Sequence, residues 1–257
     1  MIARLRDWMR RRKAARIEVS HEEWCRVEAR LPFLNHLSAA DRIGLRQLAL
    51  QFLADKQMNG ARGLSLNREM QLCIALQACL PILQLGLDWY RGWVGIVVYP
   101  GDFVIPRQEM DESGIVHEFD DAVLGEAWLG GPVLLSWFER SRDAGGINVV
   151  IHEFAHKLDM LNGSADGLPP LHQGMSKAAW VDAFGRAFKD FGQRVADSEL
   201  SGEELALDPY GAEAPAEFFA VMSEAFFETP SLLLIEYPEV YEQLRRFYRQ
   251  DPADRRG

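Results

Sequence analysis

The sequence predicts an α+β protein that is mostly helical and carries a small mixed sheet. Two observations carry most of that prediction. Apolar residues recur at helical spacing, behind recognisable caps, over roughly residues 20–80 and again from 148 to 248. Between these stretches, residues 94–137 are rich in β-branched and aromatic residues and are punctuated by Gly and Pro. A third observation is an absence: no internal repeat and no low-complexity tract breaks the order.

Taken in order, residues 1–16 read as a basic helix with Ile2, Leu5, Trp8 and Met9 as its apolar positions. Such a segment is commonly a solvated arm or a helix docked on an acidic body, and less often a contact for membrane or nucleic acid. Ser20 followed by Glu23 is a capping-box pattern and predicts a helix to about Leu31. Ser38 and Asp41 mark a second start, with Ile43, Leu45, Leu48, Leu50 and Phe52 as its apolar residues. Asn67 caps a third helix through Leu80, ended at Pro81. Cys73 and Cys79 lie within it on different faces and read as small buried hydrophobes. Val94–Tyr99 reads as a strand, and Phe103–Ile105 follows the Pro100-Gly101 turn with hairpin spacing. Gln108–Gly114 is polar and loop-like, while Ala122–Trp128 and Pro132–Trp137 read as two more strands around Gly130-Gly131. Asn148–Leu161 returns to helical spacing and Ser164–Pro170 ends it. Ser176 caps a helix through about Phe191. After the Gly211–Pro215 breaker comes a helix carrying Phe218, Val221, Met222, Ala225 and Phe226, which stops before Pro230. Short helices around Leu232–Ile235 and Glu239–Tyr248 close the chain.

Composition narrows the functional classes. At 257 residues, 48% hydrophobic and 11% aromatic, the chain can bury a sizeable core. Its longest apolar stretches, Leu80–Leu87 and Trp93–Tyr99, fall far short of the roughly 20 residues of a membrane span. The charged N-terminus has no apolar stretch behind it, so no secretory signal is expected. Cys25, Cys73 and Cys79 make neither a disulfide framework nor a C-x-x-C pair, which fits a reducing cytoplasm. The net charge of −10 divides into +6 on residues 1–16 and −16 on the other 241. Direct nucleic-acid binding is therefore not indicated.

The chemistry is concentrated in V-V-I-H-E-F-A-H-K-L-D, Val149 to Asp159. His152 and His156 are four apart, so on a helix their imidazoles share one face and can grip one zinc ion. Glu153, rotated by about 100°, can reach a water at the metal without filling a coordination position, and so can act as general base. A chance H-E-x-x-H in this chain is on the order of one in a hundred, and the apolar residues around this one argue against an incidental surface helix.

A catalytic zinc site needs a third protein ligand and an open position. The extended H-E-x-x-H-x-x-G-x-x-H pattern is absent, because Asp159 and Asn162 stand where its Gly and third His would be. His172 sits in a Pro-rich turn and reads as a surface or subsite residue. Glu203, Glu204 and Asp208 are loop-like; Glu213, Glu217 and Glu224 belong to the next helix. Glu217, in Ala-Glu-Phe-Phe-Ala, has the most apolar setting. A carboxylate there is costly unless paired or metal-bound, which favours it as third ligand. Tyr210 is either a packing aromatic or a donor to an oxyanion at the open position. Asp159 either accepts the Nδ1 proton of a ligand histidine or caps a turn at Asn162-Gly163.

The run H-E-F-A-H-K-L-D-M-L-N-G-x-A-D-G-x-P, His152 to Pro169, resembles the Mlc titration factor A family of cytoplasmic bacterial zinc peptidases. Tyr210, the later Ala-Glu-Phe-Phe-Ala and the W-x-G-I-V-V-Y-P run, Trp93 to Pro100, match as well, and the likeness covers nearly the whole chain. The resemblance implies a zincin-like fold of gluzincin type, related to the catalytic domain of the anthrax lethal factor protease. It implies one Zn2+ per chain on His152, His156 and Glu217, with Glu153 as general base and Tyr210 stabilising the transition state. It implies aminopeptidase-type hydrolysis of peptide substrates, and binding of a DNA-binding repressor of glucose uptake. The organisation expected is a basic arm over 1–20, a helical region over 21–90 and a catalytic region over 91–257, the last two forming one compact unit. In the competing reading the zinc is structural and the protein works by sequestering a transcription factor. On the peptidase reading, the strand Pro132–Trp137 is expected to offer an edge for an extended substrate.

Overall fold

The structure is a computed structural model and describes residues 2–110, 116–137 and 148–254. In chain order the elements are α1 (Ile2–Ala14), α2 (His21–Glu28), α3 (Ala39–Asp55), β1 (Gln57–Gly60), α4 (Arg68–Cys79), β2 (Gly95–Pro100), β3 (Phe103–Met110), β4 (Val116–Val123), β5 (Gly125–Ala127), β6 (Val133–Trp137), α5 (Val149–Asp159), α6 (Lys177–Ser201), α7 (Pro215–Glu228), α8 (Pro230–Glu236) and α9 (Pro238–Tyr248). Helices dominate and the sheet is small and mixed, as an α+β chain requires.

Local chemistry starts the helices where the residue pattern places them. Ser20, Ser38, Asn67, Asn148 and Ser176 each accept the backbone N–H three residues on, and Ser20 with Glu23 completes a reciprocal capping box. Proline opens α7, α8 and α9, where a missing N–H costs nothing. Helix α6 runs ten residues beyond Phe191, because Gly192 is tolerated and the stop comes only at Gly202, a left-handed C-cap with φ of 73°. Helix α1 lies against α3, yet Trp8 and Met9 face solvent. Ala14 and Arg10 of this helix are buried, and the Arg10 guanidinium donates at 2.8 Å to Asp88 in the 3₁₀ turn Leu87–Tyr90. The basic segment is thus a docked helix held partly by charge.

The sheet is where pairing departs from the sequence expectation. Its order is β1-β2-β6-β5, with β1, β2 and β6 parallel and β5 antiparallel to β6. Both edges of β2 are therefore taken, and no hairpin forms across Pro100-Gly101. Instead β3 pairs with β4 in a separate two-stranded ladder, and Gln108–Met110 extends β3 rather than starting a loop. The rest of that expected loop, from Asp111 to Gly114, lies outside the described residues. Ala122–Trp128 divides between β4 and β5. Among the described residues the strand over Val133–Trp137 is interior and β5 is the edge strand beside the site. Strand β1 was not evident in the sequence, since Gln-Met-Asn-Gly has no strand pattern.

One cluster of buried apolar residues runs from Trp24 to Tyr248 and encloses α5, every residue of which is buried. Phe154 anchors it, with ring centroids 5.6 Å from Phe52, 5.1 Å from Tyr90 and 5.7 Å from Trp93. Each such buried aromatic contributes roughly 1.5–3 kcal/mol. That packing immobilises the helix whose polar residues form the site.

Candidate metal centre

Helix α5 presents His152 and His156 towards α7, and Glu153 towards β5. Asn148 fixes its start. The side-chain carbonyl accepts from Ile151 N–H at 2.9 Å, and the side-chain amide donates to Gln77 at 3.0 Å and Glu228 at 2.7 Å. The Asn148 backbone N–H donates to Glu224 at 2.7 Å, so the cap also ties α5 to α7. On α7, Glu217 lies in the first turn, where the helix dipole favours an anion.

Three donor atoms converge. His152 Nε2 is 3.0 Å and His156 Nε2 3.1 Å from Glu217 Oε2, and the two Nε2 atoms are 3.1 Å apart. His152 Nδ1 stands 2.7 Å from Glu224 Oε1. If Nδ1 donates there, a neutral His152 turns a bare lone pair at Nε2 towards the Glu217 carboxylate. Lone pairs at these distances repel unless a proton or a cation lies among them. Burial opposes charge on His152, but Glu217 and Glu224 outweigh it and hold its pKa well above the ordinary imidazole value. Burial likewise opposes charge on Glu217, but hydrogen bonds from both histidines bring its carboxyl down to about 2. The three donors lie within 4.8 Å of one another and can hold a metal ion.

Glu153 is 4% exposed, and its Oε2 is buried without a hydrogen-bond partner among the described residues. Burial, reinforced by Glu217, Glu224 and Glu126, pushes its carboxyl up to about 8 against the opposing charge of His152. A dication among the three donors would lower it. The chain leaves room for this carboxylate at Gly125, where a Cβ would lie 2.7 Å from Glu153 Cγ. Tyr210 is half exposed in a single turn of 3₁₀ helix over Pro209–Ala212, its ring centroid 6.0 Å from that of His152.

The other sequence candidates lie apart from this point. His172 Nε2 pairs with the Phe247 carbonyl at 2.8 Å, its ring packed on Trp89 and Phe247. Glu203, Glu204 and Glu213 are exposed. Neither contact expected of Asp159 is among its hydrogen bonds. It is fully buried and accepts Gly167 N–H at 2.7 Å, because the turn at Gly167 (φ 79°) delivers that amide to it. The carboxylate that meets the Nδ1 of a site histidine is Glu224. It lies seven residues after Glu217, two turns along the same face, and that spacing was the available signal. Gly125 and Asn148 carried no comparable signal.

Residues 5–249 match the family described as glucose-regulated metallo-peptidase M90. The chain is 39% identical over 232 residues to Mlc titration factor A of Klebsiella pneumoniae subsp. pneumoniae, covering 88% of this chain and 85% of the relative. It is 39% identical over 231 residues to the protein of that name from Salmonella arizonae (88% and 90%), and 38% over 242 residues to that from Salmonella gallinarum (91% and 89%).

Proposed function

The chain belongs to the glucose-regulated metallo-peptidase M90 family, and from that premise we propose that it is a zinc-dependent peptidase of aminopeptidase type, zincin-like in fold. The observation that carries this reading is the convergence of His152 Nε2, His156 Nε2 and Glu217 Oε2. Two imidazoles and one carboxylate, with the remaining side left to water or substrate, are the donor set of a catalytic zinc site. When bound, the metal supplies a Lewis acid that acidifies water and polarises a carbonyl.

The chain's own residues do the rest. Glu224 holds the His152 ring in place through Nδ1. Glu153 takes the proton of the attacking water and passes it to the departing amine, a role suited to a buried carboxylate whose pKa stands high before a cation arrives. Tyr210 donates a hydrogen bond to the developing oxyanion. The outer edge of β5, rather than its interior neighbour β6, pairs with the backbone of an extended substrate.

The relatives' name, Mlc titration factor A, together with what the sequence resemblance implies, favours a second role: this chain binds a DNA-binding repressor of sugar uptake. A cytoplasmic location goes with both roles. Among the described residues no helix is long and apolar enough to cross a membrane. A Glu153→Gln variant separates the roles. It should keep its metal and lose peptide hydrolysis by a factor of about 10² to 10⁴, while repressor binding persists. Undiminished hydrolysis by that variant would remove Glu153 from the reaction.

A further inference from the structure

Helix α5 turns a second polar stripe towards β5. Glu153 and Lys157 are four residues apart and share a face. Glu153 lies beneath Gly125, where β5 begins. The Lys157 ammonium lies beneath the turn where β5 ends, donating to the Trp128 carbonyl at 2.5 Å and the Gly131 carbonyl at 2.9 Å. The strand is thus laid along one face of α5, between the candidate general base and a lysine one turn further on.

The strand is three residues long, and among the described residues its ladder is with β6, Gly125–Ala127 against Leu135–Val133, with the Glu126 carboxylate accepting the Trp128 indole N–H at 2.6 Å. A ladder this short is marginal by itself. The turn beyond it closes through Gly131 N–H on the Trp128 carbonyl at 2.9 Å, with Gly130 at a φ of 65°. Lys157 lands on that same carbonyl. It is 3% exposed, and its Nζ lies 4.9 Å from the centre of the Trp93 ring. An ammonium in such a place is expensive unless hydrogen-bonded, and an apolar side chain would pack there without that cost. What the ammonium adds is direction, since it fixes two particular carbonyls relative to the helix turn that carries His156.

We propose that Lys157 is a positioning residue whose ammonium pins the turn after β5. It thereby sets where the outer edge of β5, and a substrate paired with it, stands over Glu153. This rests on the peptidase reading for its substrate half and on geometry alone for the pin.

The test compares wild type, Lys157→Met and Lys157→Arg, all zinc-loaded, in metal content, hydrolysis of a tetra-alanine peptide and amide hydrogen exchange. Lys157→Met should keep its metal while KM rises about tenfold with kcat within about twofold. Lys157→Arg, which keeps donors at that position, should recover part of the KM. Exchange at the Trp128 and Gly131 amides, which donate to the Pro132 and Trp128 carbonyls, should quicken about tenfold in Lys157→Met while α7 is unchanged. Acceleration spread evenly over α5, α7 and β5 would mean loss of stability only and would overturn the proposal, as would an unchanged KM in the folded, metal-loaded variant. If the wild type hydrolyses no peptide, the peptidase reading fails by itself, and the exchange pattern still decides whether Lys157 pins β5.

Discussion

At the scale of single residues, the site depends on which nitrogen of His152 faces the cluster. Glu224 decides this by standing 2.7 Å from Nδ1, which leaves Nε2 for Glu217 and His156. Removing that carboxylate frees the ring to turn and takes a charge from beside it. Glu224→Ala is therefore expected to weaken metal affinity about 10- to 100-fold, read by competition with a chromophoric chelator; an unchanged affinity would reduce Glu224 to packing. The histidines and Glu153 were legible in the sequence because a four-residue spacing on a helix fixes their relation with no tertiary information. Glu217 was legible from its apolar neighbours. Glu224 was legible only as a carboxylate sharing a face with Glu217; its contact with His152 Nδ1 was not, because that depends on how closely α7 approaches α5.

At the scale of elements, caps and breakers write helix ends locally, and Ser20, Ser38, Asn67, Asn148 and Ser176 act where the sequence places them. Strand pairing is non-local, and there the sequence misleads. A turn at Pro100-Gly101 invites a hairpin, but two parallel neighbours already occupy the edges of β2. The same parallel pairing puts β6 in the interior and leaves the site-facing edge to β5. Gly125 is the element's closest approach to the chemistry. A Gly125→Val side chain would collide with Glu153 and lift the strand. The expected outcome is a metal-bound protein whose kcat/KM falls about 100-fold or more; full activity with metal retained would show that β5 does not border the reacting groups.

At the scale of the whole molecule, buried carboxyls make the metal-free protein sensitive to pH. Burial raises Glu153 to about 8, Glu228 to about 7 and Asp159 to about 6, above the ordinary values of 4.5, 4.5 and 3.8. The folded state then holds protons that the unfolded chain releases, so their stabilisation is present in acid and is lost as pH rises through these values. His152, raised by its two carboxylates, acts in the same direction. Glu217 acts oppositely, but only below its ordinary value, as pH falls towards about 2. The Tm of chelator-treated protein should therefore drop by about 5 °C or more between pH 5 and pH 8. Zinc should raise and flatten that curve, because a cation favours the ionised Glu153; parallel curves with and without zinc would place the metal away from these groups. The most direct measurement of all is zinc stoichiometry by elemental analysis on the wild type and on Glu217→Ala. Near one zinc per wild-type chain with a clear loss in the variant is the predicted result. Full zinc in Glu217→Ala, or none in a wild type prepared without chelator, would contradict a centre built from His152, His156 and Glu217.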